Sequence, residues 1–162
     1  MNWSHLEDDD EYNTPKELWA NISEYLPKKD KVVWEAFYGN GKSGKFLREL
    51  GCTVIQRNVD FFAENLNLID KCDVIISNIP FSKKREVLYR LKEIDKPFII
   101  IMPASTLFTQ YFRDTFGNNI QLIIPKKRMH FIKKGRLVKK TSFESCYFCY
   151  KMDLKRDIIM LN

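Results

Sequence analysis

The stretch Lys31-Val32-Val33-Trp34-Glu35-Ala36-Phe37-Tyr38-Gly39-Asn40-Gly41-Lys42-Ser43-Gly44 decides the fold. Lys31 to Phe37 is β-branched and aromatic, which predicts a strand. Ser43 to Leu50 reads as a helix, so the two are joined through a glycine-rich turn. At such a turn backbone N–H groups and a helix N-terminus are free to hold a ligand, and glycine lets the backbone approach it closely. The same rhythm continues outward. Cys52 to Gln56, Cys72 to Ser77, Pro97 to Met102 and Asn119 to Ile124 read as further strands, while Pro15 to Tyr25, Lys83 to Ile94 and Ser105 to Phe116 read as helices. Strands alternating with helices of this length imply an α/β fold with a mostly parallel sheet covered on both faces. The C-terminal third departs from that pattern. Met129 to Ile132, a glycine turn at Gly135, and Ser142 to Met152 predict that the sheet ends in an antiparallel hairpin.

A chain of 162 residues, 44% of them apolar, is long enough for one domain with a real core and leaves little room for a second. The expected organisation is an acidic, flexible tail over residues 1–11 and a single domain over 12–162, without a separate target-recognition domain. No apolar run approaches the roughly 20 residues that cross a bilayer. MNWSHLEDDDEY is acidic where a secretion signal would be basic and then apolar. These features predict a soluble intracellular protein with no membrane partner. The four cysteines, Cys52, Cys72, Cys146 and Cys149, need no disulfides in such a setting. The net charge is +6, and Lys126, Lys127, Arg128, Lys133, Lys134, Arg136, Lys139 and Lys140 crowd into one C-terminal segment. A basic cluster of this kind favours a polyanionic partner, most often nucleic acid, against the alternative of a merely solvated face.

The glycine turn alone supports several readings. Ala36 to Ser43 lacks only the first glycine of a Walker A phosphate loop, but that glycine shapes the phosphate nest. A plain tight turn is another. The third is an E-x-F-x-G-x-G pattern, in which Glu35 closes the strand, Phe37 follows, and Gly39 and Gly41 make the turn. This pattern resembles the first motif of class I methyltransferases, which bind S-adenosylmethionine at this place.

Order and spacing favour that third reading. Tyr12-Asn13-Thr14-Pro15 precedes the first strand, Asn58-Val59-Asp60-Phe61-Phe62 follows the second, and Asn78-Ile79-Pro80-Phe81 closes the strand Cys72 to Ser77. Together with the glycine turn, these segments resemble the small phage-type and viral DNA N6-adenine methyltransferases of the class I, Rossmann-like fold, over about Tyr12 to Tyr150. The resemblance implies that Thr14, Pro15, Glu35, Phe37, Gly39, Gly41, Asn58, Asp60, Phe61 and Asn78 line the site of S-adenosylmethionine. Within that site, the Thr-Pro segment and glycine loop take the methionine end, Asn58 stands where the family has an acid for the ribose, and Asp60 and Phe61 meet the cofactor's adenine. It also implies that Asn78, Ile79, Pro80 and Phe81 form the catalytic turn. An adenine amine is a poor nucleophile because its lone pair is delocalised into the ring, so acceptors that meet it during attack assist catalysis. The resemblance implies that the Asn78 side-chain oxygen and the Ile79 carbonyl are the expected acceptors, with Phe81 expected to stack on the base and Pro80 to fix the chain direction.

Two departures accompany the resemblance. Asn58 is an amide in place of an acid, and Ile79 replaces the first proline of N-P-P-F. The form N-[IL]-P-[YF] occurs in ribosomal-RNA adenine dimethyltransferases, so the expected partner is DNA by preference with RNA as the other choice. The rival expectation is a catalytically inactive, nucleic-acid-binding subunit of a larger complex, and a homodimer or partner subunit is allowed by either. Lys83, Lys84 and Arg85 join the C-terminal cations as expected phosphate contacts. Cys146-Tyr147-Phe148-Cys149 imitates a metal motif, but residues three apart on a strand point to opposite faces, so no metal site is expected. His130 and His5 are unpartnered in the sequence, and Trp19 and Trp34 are expected in the core.

Overall fold

The computed structural model describes residues 12–63, 66–138 and 143–162. Its elements are β1 (Tyr12–Asn13), α1 (Lys16–Ala20), β2 (Val32–Trp34), α2 (Lys42–Glu49), β3 (Thr53–Ile55), α3 (Leu66–Lys71), β4 (Val74–Asn78), α4 (Lys84–Ile94), β5 (Phe98–Pro103), α5 (Gln110–Phe116), β6 (Ile120–Ile124), β7 (Phe131–Lys133), β8 (Arg136–Val138), β9 (Ser145–Tyr150) and β10 (Ile158–Met160). Seven strands form the main sheet in the order β10-β6-β9-β5-β4-β2-β3. All its pairings are parallel except those of β9 with β5 and β6.

Apolar residues on both faces explain why β4 and β5 lie at the centre. Ile75, Phe98 and Ile100 pack with Val87, Leu88 and Leu91 of α4 and with Phe112 and Phe116 of α5. Ile76, Ile99 and Ile101 pack on the other face with Leu18 and Trp19 of α1 and Leu47 of α2. A strand apolar on both faces has to be covered twice, and the helices do so. The expected α/β architecture is therefore present, with Trp19 and Trp34 fully buried.

The C-terminal third differs from its expected arrangement. The hairpin exists, turning through Lys134 and Gly135, both at positive φ, but its strands are β7 and β8. These pair with β1 in a separate antiparallel sheet of order β1-β7-β8. The longer strand β9 leaves the hairpin and enters the main sheet between β5 and β6. Burial gives the physical reason: every residue from Ser145 to Tyr150 is buried, so β9 requires neighbours on both edges and cover on both faces. Cys146 accordingly packs in the α4/α5 layer and Cys149 in the α1/α2 layer. Burial pushes both thiols up to about 12, and all four cysteines are free and buried.

Local chemistry shortens two expected helices. Thr109 caps α5, its hydroxyl accepting from Phe112 N–H at 3.3 Å, so the segment before it forms a separate 3₁₀ turn, Ala104–Phe108. Likewise Pro15 to Tyr25 divides into α1 and a 3₁₀ turn, Ser23–Tyr25. Among the described residues no helix is long and apolar enough to cross a membrane.

Candidate active site

The strand order reverses between β2 and β4, and in an open α/β sheet ligands bind beyond the carboxyl ends of strands at such a point. Glu35 occupies the gap. Its backbone N–H donates to Ile55 C=O at 3.0 Å, which carries the chain one residue past β2 before it turns. The carboxyl group is buried, and its Oε1 accepts from the Phe37 N–H at 3.0 Å and from the Ser77 hydroxyl. Burial pushes its pKa up to about 8, against the pull of those two hydrogen bonds. Glu35 thereby joins the start of the glycine loop to the end of β4, one residue before Asn78.

Gly39 and Gly41 have φ of 55° and 80°. A Cβ on Gly39 would stand 3.3 Å from the Asn13 side-chain oxygen, and one on Gly41 would stand 3.2 Å from the Tyr38 hydroxyl. Both conformation and space therefore favour glycine. Gly41 N–H closes the turn on Tyr38 C=O at 2.8 Å, and Gly41 caps α2 with no side-chain hydrogen bond of its own. The approach of Asn13 to Gly39 brings the N-terminal segment to the loop. Thr14 is buried beside it, Pro15 caps α1, and Trp19 Nε1 donates to Ser43 Oγ at 3.2 Å, fastening α1 to α2.

Beyond β3, Asn58 and Asp60 are exposed. Asp60 Oδ1 accepts from Phe62 N–H at 2.9 Å, which tightens the turn. Phe61 is fully buried, with ring centroids 4.7 Å from Phe37 and 5.8 Å from Trp34. The outward ring here is Phe62, 38% exposed, which the sequence motif did not single out. Its alternation with buried Phe61 was the available signal.

The turn after β4 is arranged differently. Asn78 pairs in register with Ile101 of β5, and its Oδ1 is buried with no hydrogen-bond partner among the described residues. Ile79 and Pro80 are buried, and Pro80 holds φ −66° and ψ 120°, so the chain leaves the strand extended before the 3₁₀ turn Phe81–Lys83. Phe81 is half-buried and stands edge-on to Phe143 at 4.9 Å and to Phe131 at 6.2 Å. Tyr12 completes the group, 5.9 Å from Phe143 and 6.2 Å from Phe131. The small sheet therefore supports Phe81 through rings from three parts of the chain. Phe131, Phe143 and Ser77 are supporting residues that the sequence reading missed, because nothing in a linear motif marks a partner so far along the chain.

The expected cations among the described residues fall into three groups. Lys83, Lys84 and Arg85 follow Phe81 directly, and the Arg85 guanidinium lies 5.0 Å above the Tyr111 ring. On the hairpin, Lys133 Nζ lies 5.1 Å above the Tyr12 ring, while Lys134 and Arg136 are exposed. Both sets adjoin the aromatic group around Phe81. Lys126, Lys127 and Arg128 instead line a cleft of about 510 Å³ that also contains Glu17 and Glu24. Arg128 donates to Phe143 C=O at 2.9 Å. Lys139 and Lys140 lie outside the described residues. Among the described residues no group of metal-ligating side chains occurs.

Solved structures that share the fold include three methyltransferases. Precorrin-6y C5,15-methyltransferase of Geobacter metallireducens is 15% identical with a TM-score of 0.51, over 90% of this chain and 97% of that one. The tRNA (m1A58) methyltransferase of Aquifex aeolicus is 15% identical with a TM-score of 0.50, over 94% and 74%. A Listeria monocytogenes protein assigned as a class I S-adenosylmethionine-dependent methyltransferase is 11% identical with a TM-score of 0.53, over 97% and 67%. No curated protein matches the chain. The model of the family described as adenine-specific methyltransferase EcoRI matches residues 13–128, which take in Asn13, the glycine loop, the Asp60 turn and the Asn78 turn. That match covers most of the chain, which therefore belongs to the adenine-specific methyltransferase EcoRI family and is an S-adenosylmethionine-dependent methyltransferase.

Proposed function

We propose that the protein methylates the N6 amino group of adenine in nucleic acid, DNA in preference to RNA. The observation that carries this reading is the Asn78 side-chain oxygen, buried and without a hydrogen-bond partner among the described residues, beside the strand that bears the glycine loop. A buried acceptor left unbonded costs about 1–3 kcal/mol. An amino group brought to the turn removes that cost.

The residues present fit the cofactor. The glycine loop combines two positive-φ glycines with the start of α2, where Asn40 Oδ1 accepts from Lys42 N–H at 3.1 Å, and a helix N-terminus suits the carboxylate of an amino-acid end. Asn13, Thr14 and Pro15 close one side of it, and Asn58, Asp60 and Phe62 are the polar and aromatic groups that stand beyond β3. When bound, S-adenosylmethionine supplies an electrophilic methyl group on a sulfonium. Asn78 Oδ1 and the Ile79 carbonyl accept the two N–H bonds of the target amine and turn its lone pair toward the cofactor side of the gap. Phe81, buttressed by Phe131 and Phe143, offers its face to the flipped or unpaired base. Positioning supplies much of the rate. The nitrogen, cationic after attack, passes its extra proton to water, so no side chain with a strong base is needed. Lys83, Lys84, Arg85, Lys134 and Arg136 hold phosphates on either side of the base.

The test is methyl transfer from labelled S-adenosylmethionine to unmethylated DNA and RNA pools, followed by nucleoside analysis. N6-methyladenine in the DNA pool, absent with Asn78→Ala, supports the reading. Cofactor binding without N6-methyladenine in either pool rejects it in favour of a methyltransferase-fold subunit that only binds nucleic acid.

A further inference from the structure

We infer that Phe108 stacks on a nucleobase next to the target adenine and so holds the strand while the adenine occupies the Asn78 turn, an inference that rests on the nucleic-acid reading above. At 87%, Phe108 is the most exposed large apolar side chain among the described residues. It ends the 3₁₀ turn Ala104–Phe108, which follows β5, and β5 lies beside β4 with Ile101 opposite Asn78. The turn is bracketed by parts of the site. On one side, Ala104 N–H donates to Glu144 C=O at 2.7 Å, next to Phe143, whose ring meets Phe81. On the other, Tyr111 lies beneath Arg85, in the cationic run that follows Phe81. Phe108 therefore belongs to the same edge of the molecule as the catalytic turn and its cations.

The backbone that carries the ring is anchored. Thr106 is fully buried, Leu107 packs on the core, and the Thr109 hydroxyl donates to Thr106 C=O at 2.7 Å. An aromatic side chain on an anchored turn has only two torsions to lose on binding. Beside cations that take phosphates, such a ring suits a partner that offers both phosphate and a π face. Every base has a π face, so a stack of this kind contributes affinity without fixing sequence.

The test compares the wild type with Phe108→Ala, Phe108→Leu and Phe108→Trp. The readouts are steady-state methylation of the DNA and RNA pools, cofactor affinity by calorimetry, and the salt dependence of binding to a fluorescein-labelled adenine-rich oligonucleotide, single-stranded and duplex. Loss of one base–aromatic stack raises KM for nucleic acid about tenfold in the Ala and Leu variants. Trp restores it, and cofactor affinity and melting temperature stay at wild-type values. The slope of log K against log salt is also unchanged, because a ring neutralises no phosphate. If Phe108→Ala or Phe108→Leu keeps the wild-type KM, or if either variant flattens the salt slope as loss of a phosphate-binding cation would, the inference is overturned while the N6-adenine reading stands. If the wild type methylates neither pool, the N6-adenine reading fails and this inference falls with it.

Discussion

Two turns at the carboxyl edge of the sheet, Asp60 to Phe62 after β3 and Asn78 to Phe81 after β4, carry the same kinds of group: a side-chain oxygen that accepts hydrogen bonds, and a phenylalanine. Their surroundings differ. Asp60 uses an oxygen on its own backbone, at Phe62 N–H, and Phe61 is driven fully into the core. Asn78 keeps its oxygen buried without a partner among the described residues, and Phe81 stays half-buried, nearly perpendicular to the rings of Phe131 and Phe143. Where a turn satisfies its own polar group and buries its ring, the ring's main contribution is to stability. Where the acceptor is unbonded and the ring partly exposed, the turn can act on a ligand. Glu35 ties the two regions together, since it binds Phe37 N–H, whose ring meets Phe61, and the Ser77 hydroxyl, next to Asn78.

The largest effect should come from that link. Glu35 has its pKa raised by burial from 4.5 to about 8, so the folded state keeps a proton that the unfolded state releases. The folded state then binds more protons between those values, and stability falls as pH rises through the window. Taken at about 1.4 kcal/mol per unit, the loss is on the order of 4 kcal/mol by pH 8. Glu35→Gln keeps an acceptor for Phe37 and Ser77 and does not ionise. Urea titrations at intervals from pH 4.5 to 8.5 should show the wild type weakening and the variant flat. Parallel curves would mean that Glu35 is ionised in the folded protein.

Phe61→Ala sharpens the contrast between the turns. Truncating a fully buried phenylalanine costs about 3–5 kcal/mol, so the urea midpoint should drop strongly. Any loss of cofactor affinity in that variant should follow the loss of folded protein and recover under stabilising conditions. Asn78→Ala should do the reverse. Removing one preorganised polar group that meets the reacting atoms lowers kcat by about 10²–10³-fold, while stability is unchanged or slightly higher because an unbonded buried acceptor is removed. A large fall in melting temperature without a catalytic defect would exchange the roles of the two turns.

How much of this was legible in the sequence depends on the distance over which each feature is determined. The glycine loop and the β4 turn could be read because their chemistry is local: Gly39 and Gly41 need positive φ, and Asn78 to Phe81 carries acceptor, proline and ring in one short run. The two-faced apolar runs of β4 and β5 likewise announce a covered parallel sheet. The position of β9 was not legible, because a run buried on both faces does not state which strands it will separate. Helix α3 and strand β10 were missed for a different reason: both are short, and the outward residues Ile158 and Met160 hide the inward alternation at Ile159. The two turns show the same limit at the level of single residues. Asp60-Phe61 and Asn78-Phe81 look equivalent as motifs, and only tertiary burial separates a core ring from an available one.

Phe81→Ala gives the smallest of these effects and tests the division of labour most directly. The ring is half-buried and makes edge contacts with Phe131 and Phe143, so its loss leaves most of the aromatic group packed on Tyr12. Its proposed work is done by its face, on the target base, where one stack is worth about 1–3 kcal/mol. Methylation at limiting nucleic acid should therefore fall about five- to hundredfold, whereas calorimetric affinity for S-adenosylmethionine should stay at the wild-type value. Phe81→Tyr, which keeps a stacking face, should recover most of the loss. Should cofactor affinity collapse in Phe81→Ala instead, the β4 turn would belong to the cofactor side of the site, and the base would have to be held elsewhere along the edge.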